Sequence, residues 1–221
     1  VPWWFLQGFG GRYAGAALQS VDAGGSIARH IAAQHIVGCV VHASCSTSAP
    51  GVAQHHFGNG LIIGEPSGEK TARVLALQAL FAQAGFDTKV SEQIQKDIWY
   101  KLWGNMTINP ISAITGATTD KILDDDLVRG FVYSIMLEGK AIGEHIGISI
   151  AQQLEDRHMV TRKLGAFKTS MLQDVEAGKP VELDALVGAV QELGRMTSVP
   201  TPYTDALLGL ARLHARQRGL Y

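Results

Sequence analysis

Lys101, Asn105 and Asn109 recur at a spacing of four. On an α-helix each such step leaves a side chain about 40° further round and one turn along, so the three form a slanting polar stripe. Ile98, Leu102, Trp103, Met106 and Ile108 flank it. A lysine and two amides among large apolar residues are expected to sit half buried, where unpaired polar groups are costly unless a ligand satisfies them. A desolvated ammonium has a lowered pKa and can serve as hydrogen-bond donor and general acid at a carbonyl oxygen that gains charge. The amides would orient the carbonyl compound. The same spacing also fits a stripe that faces water with Lys101 simply solvated, and residue types alone leave both readings open.

A second stretch runs from Lys168 to Asp184, KTSMLQDVEAGKPVELD. Ser170 and Glu182 are its chemical residues. Each also has a plain structural reading: Ser170 fits a cap for a turn beginning at Met171, and Glu182 with Asp184 fits the first turn of a helix.

Taken together, in order and well separated, the run IWYKLWGNMTINPISAITGAT (98–118) and TSMLQD with its following E-x-D resemble the signatures of the ketopantoate reductase (2-dehydropantoate 2-reductase) family. The resemblance extends from Val1 nearly to the C-terminus. It implies Lys101 as catalytic lysine, with Glu182 beside it and beside a substrate hydroxyl. It implies Asn105, Asn109 and Ser170 as substrate-binding residues, the serine at the carboxylate. The implied reaction is NADPH-dependent reduction of 2-dehydropantoate to pantoate, in pantothenate (coenzyme A) biosynthesis, with the cofactor supplying the hard chemistry. The implied architecture is an α+β remainder of a Rossmann-like domain with a small mixed or antiparallel sheet (1–92). An all-α domain resembling the C-terminal fold of 6-phosphogluconate dehydrogenase follows (93–221). Some members carry a further substrate-binding asparagine where this chain has Thr118, Thr119 and Asp120, and the PWWF opening also differs. A related 2-keto acid therefore stays open as substrate. A reductase of another hydroxy acid with the same two-domain layout and a non-catalytic helical module for dimerisation or sensing are the competing readings.

Composition narrows the partners. Nineteen basic against twenty acidic residues give a net charge of −1, without the basic field that nucleic acid or an anionic membrane surface would need. No apolar run approaches the roughly 18 residues of a membrane span. The opening VPWWFLQGFGG lacks a basic leader, and the chain is expected to begin inside a longer protein or after processing. Cys39 and Cys45 fit no disulfide framework or zinc pattern and are expected as small core residues of a reduced, cytoplasmic protein. His55 and His56 are adjacent, hence on opposite faces of a strand, and no metal site is expected.

Two glycine patterns fall short of phosphate loops. Gly8–Tyr13 starts like the dinucleotide fingerprint, but Tyr13 stands at the third glycine and no strand precedes it. Gly64–Thr71 has Glu69 where a P-loop has glycine. The NADP-binding loop is thus expected to be absent from this chain, with an Asn-Gly pair of the family lying upstream of Val1, and the chain alone is expected to bind cofactor poorly.

The elements that must position these residues follow from periodicity. Pro2–Phe5 is a candidate lid or cleft wall, or a patch packed on other residues, and Ser26 is a candidate cap for a short helix. Strands are expected at 36–43, 52–57 and 61–63, with turns at Pro50-Gly51 and Gly58-Asn59-Gly60. A helix at 68–84 and a strand at 86–90 come next. The signature helix is expected to stop near Asn109 because Pro110 lacks an N–H. Further helices are expected after Asp124-Asp125-Asp126, near 150–165, beyond Pro180 and over 203–217. An exposed sheet edge and the aromatic opening make self-association, as a homodimer, the expected assembly.

Overall fold

The computed structural model describes residues 1–221. The chain begins with turns, and the aromatic opening is core rather than lid. Phe5 and Leu6 are fully buried, and the Phe5 ring lies 5.8 Å from that of Trp99. Helix α1 (Ser26–His30) takes its cap from Asp22, whose carboxylate accepts the N–H groups of Ile27 and Ala28 at 2.7 and 3.0 Å. Ser26 is the first helical residue instead. Gly24 and Gly25, both at positive φ, fold the chain so that the aspartate reaches back over the helix end.

Strands β1 (Gly38–Ala49) and β2 (Val52–Gly64) form a long antiparallel hairpin turned at Pro50-Gly51. Helix α2 (Ala72–Gln83) then crosses to β3 (Asp87–Val90), which pairs parallel with β2, so of the two expected arrangements, antiparallel or mixed, the sheet takes the mixed one. The expected hairpin turn at Gly58–Gly60 is a bulge inside β2. Pairing passes from His42↔Gly60 to Ser44↔Phe57, leaving an extra residue on β2. Gly58 is required there, because its φ is +75° and a Cβ would lie 2.5 Å from the His42 carbonyl oxygen. A glycine pair marks a bulge as readily as a turn, which is why local composition misread it. His55 and His56 bond to the Gly58 carbonyl and the Ser46 hydroxyl.

Both cysteines are exposed, against the expectation of core residues. The pleat turns Val40 onto Trp4 and Ile94, which puts Cys39 on the opposite, open face of β1.

Helix α3 (Ile94–Thr115) runs through Pro110, past the expected stop, and ends where Gly116 adopts a left-handed conformation. Leu102–Ala113 is buried apart from Asn105. A helix packed on nearly every side gains enough apolar burial to absorb a proline cost of about 3 kcal/mol. Around it lie α4 (Thr119–Asp124), α5 (Asp126–His145, capped by Asp125), α6 (Leu154–Arg162) and α7 (Ser170–Glu176). A π-helical turn (Asp184–Gly188) leads into α8 (Ala189–Thr197), and α9 (Pro202–Gln217) closes the set. Phe5, Leu6 and Leu18 share one hydrophobic cluster with Trp99, Met106 and Ile135, so the first residues pack with the helices. A second cluster joins Ala113 of α3 to Met171 of α7 and Ala211 of α9.

Candidate functional site

The spacing of four puts Lys101, Asn105 and Asn109 along one side of α3. Lys101 is half-buried, and its Nζ donates to the Val41 carbonyl of β1 at 2.6 Å. Burial holds the ammonium below the ordinary lysine range, with the neighbouring Cys39 thiol opposing this weakly. Asn105 is half-buried and Asn109 is 7% exposed. Neither side-chain amide bonds to another group of the chain, so both keep their donors and acceptors for a ligand.

Ser170 is exposed on the first turn of α7. Capping belongs to its neighbour Thr169, whose hydroxyl accepts the Leu172 N–H at 3.2 Å. Helix α7 lies against α3, which brings the second signature to the first. Glu182 does not join Lys101. It is exposed and lines an open concavity with Val1, Trp3, Asp184 and Tyr221, and the four ion pairs of the chain include neither residue. The expected carboxylate–ammonium contact is therefore replaced by the Val41 carbonyl. A desolvated ammonium needs an acceptor, and the strand edge supplies the nearer one.

One cation beside the stripe escaped sequence reasoning. Arg157 of α6 lays its guanidinium over Gly104, where a Cβ would meet Nη2 at 2.4 Å. Nη1 donates to the Thr161 hydroxyl at 3.1 Å, the group sits 5.7 Å from the Tyr100 ring centroid, and Nε is buried without a partner. No carboxylate pairs with it. Burial is the largest influence lowering the pKa of His42 on β1; the charges of Lys101 and Arg157 add to it and Asp97 opposes it. The signal was a lone glycine within a helix of large residues, which marks a close approach but not its partner.

The neighbouring His158 is buried, stacked on Tyr133 at 4.4 Å, with both ring nitrogens unpaired. Desolvation lowers its pKa to about 4; Glu155 opposes this and Arg157, Arg129 and Arg162 add to it. The unfolded chain therefore binds this proton more readily than the folded one. Its neutral form contributes fully above about pH 6.5, and stability is expected to fall as pH drops from there through about 4. Urea midpoints at pH 7.5 and 4.5 should differ for the wild type, and His158→Phe should remove that share of the difference.

Residues 93–215 match the family described as "Ketopantoate reductase PanE/ApbA C terminal", more than half of the chain. The chain belongs to the ketopantoate reductase family. A 2-dehydropantoate 2-reductase of Mesorhizobium japonicum is 45% identical over 221 residues, covering 100% of this chain and 68% of the relative. One from Halobacterium salinarum is 29% identical over 86% of the chain and 63% of its own length. Among solved structures, a Ralstonia solanacearum MolK2 protein named a candidate ketopantoate reductase is 52% identical with a TM-score of 0.94, covering all of this chain and 67% of that one. The chain thus spans about two thirds of the length of these ketopantoate reductase relatives.

Neither glycine segment fits the phosphates of a nicotinamide cofactor. Gly8–Tyr13 is a turn anchored by buried Phe9. After β2, the buried Glu65 carboxylate fills the turn, bound by Thr71 and by Arg73 Nε at 2.7 Å. A carboxylate at that place repels phosphate.

Proposed function

We propose that this chain is the substrate-side portion of an NADPH-dependent reductase that converts 2-dehydropantoate to pantoate. In this reading residues 1–92 complete the cofactor domain and 93–221 form the helical substrate domain. The observation that carries the proposal is the half-buried Lys101 ammonium, fixed at the junction of β1 and α3, with two partnerless amides following it along the helix.

A bound nicotinamide supplies the hydride for the keto carbon. Lys101 donates to the keto oxygen and, with its lowered pKa, gives up the proton that the oxygen gains. Asn105 and Asn109 orient the substrate, and Ser170 meets its carboxylate. Glu182, which does not hold the lysine here, is assigned to the substrate hydroxyl. No helix is long and apolar enough to cross a membrane, and a cytoplasmic location belongs to the proposal. So does a homodimer, for which the exposed Leu137, Leu210 and Leu213 of α5 and α9 offer apolar surface.

The test uses the full-length protein with NADPH or NADH and a panel of 2-keto acids, followed by nicotinamide absorbance. Ketopantoate should exceed the others by at least about tenfold in kcat/KM, which is the discrimination that a few hydrogen bonds to the hydroxyl supply. NADPH should be preferred. A different favoured 2-keto acid would replace the substrate, and failure to turn over any would remove the reductase reading.

A further inference from the structure

Of the four tryptophans, Trp4, Trp99 and Trp103 are buried, and Trp3 alone keeps part of its surface in water. It lines the open concavity that also holds Glu182. The concavity measures about 470 Å³, within the span of small-molecule sites, and seven of its twelve lining residues are hydrophobic. Few polar groups face it, and most of those are occupied. Ser20 donates its hydroxyl to Glu192 at 2.6 Å, and Asp184 accepts the Tyr221 hydroxyl at 2.6 Å. The Glu182 carboxylate accepts no hydrogen bond from the chain. A mostly apolar hollow with one free acceptor suits the apolar part of a small ligand.

Two packing links join this concavity to the turn of α3 that bears Lys101. Val1, on its wall, shares the main hydrophobic cluster with Trp99 and Leu102, which lie on either side of Lys101 in sequence. Trp3 packs on the cluster of Trp4, Val40 and Ile94, as does Ile98 of α3. Val40 precedes Val41, whose carbonyl takes the Lys101 ammonium.

We infer that Trp3 is a specificity residue of the proposed reductase, the wall against which the branched apolar group beyond the keto carbon of a 2-keto acid packs. With the keto carbon at Lys101, that group extends along Trp3 into the concavity, and the indole selects for its bulk. Binding gained there does not depend on the charge that the keto oxygen develops, so it is felt in the ground state and the transition state alike. Acids with nothing beyond a methyl group leave the concavity to water.

The inference rests on the proposed function, and the experiment separates the two. Full-length wild type, Trp3→Ala, Trp3→Phe and Ala185→Leu are assayed with NADPH and three acids: ketopantoate, trimethylpyruvate and pyruvate. Trimethylpyruvate keeps the branched group without a hydroxyl, which isolates Trp3 from Glu182. Trp3→Ala should raise KM for both branched acids about tenfold, the discrimination that one or two methyl groups give in an apolar pocket. Its kcat should stay within about threefold, as expected for lost uniform binding, and KM for pyruvate within about twofold. Trp3→Phe, which retains an aromatic wall, should recover most of the loss. Ala185→Leu adds bulk to the same concavity and should likewise raise KM for the branched acids alone; it carries the test if Trp3→Ala does not fold. An equal rise for pyruvate would make Trp3 a packing residue and overturn the inference. Unchanged KM values in Trp3→Ala and Ala185→Leu would do the same, by showing that the concavity holds no part of the substrate. Either result leaves the reductase reading standing if the wild type reduces ketopantoate. If the wild type reduces none of the acids, the proposed function fails and the inference falls with it.

Discussion

Replacing Lys101 by alanine in the full-length enzyme is expected to lower kcat about 10³-fold, in the range known for lost general acids and oxyanion donors. The ammonium is the one proton-bearing cation on the α3 stripe, and burial has already brought its pKa below the ordinary lysine range. It donates to Val41, so the variant loses one link between α3 and β1 but leaves no buried charge behind. NADPH affinity should stay within about threefold, because the interaction removed is realised as the keto oxygen gains charge. The pH dependence gives a second readout. The donor must be protonated, so kcat should decline as pH rises through the lowered pKa, and that limb should be missing in Lys101→Ala. Steady-state kinetics across pH checks both. Undiminished turnover in the variant would take Lys101 out of the mechanism.

The largest stability loss is expected from Glu138→Ala. Glu138 of α5 is 9% exposed, and its carboxylate accepts the Tyr203 and Thr204 N–H groups at 2.9 Å each and the Thr204 hydroxyl at 2.6 Å. It thereby satisfies the first turn of α9, whose donors have no partner within the helix. Negative charge there also complements the positive end of the helix dipole. Alanine strands three donors, two of them on the buried Thr204, for an expected cost of about 3 kcal/mol. For a domain of this size that corresponds to roughly 6–12 °C in Tm. Glu138→Gln, which retains one good acceptor, should lose about half as much. Calorimetry decides, and a loss below about 1 kcal/mol would show that water replaces the carboxylate at the helix end.

Local pattern determined a good part of this protein. The four-residue spacing placed Lys101, Asn105 and Asn109 on one side of a real helix, because helical geometry alone dictates which residues share a side. The α5 and α8 stripes, Val132, Ile135 and Ile142 and then Val190 and Leu193, were legible for the same reason, and all five are buried. A small sheet and the signatures at 98–118 and 168–184 also needed nothing beyond neighbouring residues, while the parallel pairing of β3 with β2 that makes the sheet mixed came from the fold.

What the tertiary structure decided involves groups distant in the chain. Glu182 was expected beside Lys101, but a strand carbonyl 60 residues away holds the ammonium. Arg157 was invisible because the glycine that admits it does not name its visitor. Glu138 looked like one more polar residue of α5 until α9 brought its first turn onto it. Pro110 argued for a stop that the surrounding helices overrode, and Gly58 for a turn that the pairing of β1 made into a bulge. Spacing along the chain encodes the side on which a residue lies; only three-dimensional packing chooses what meets it.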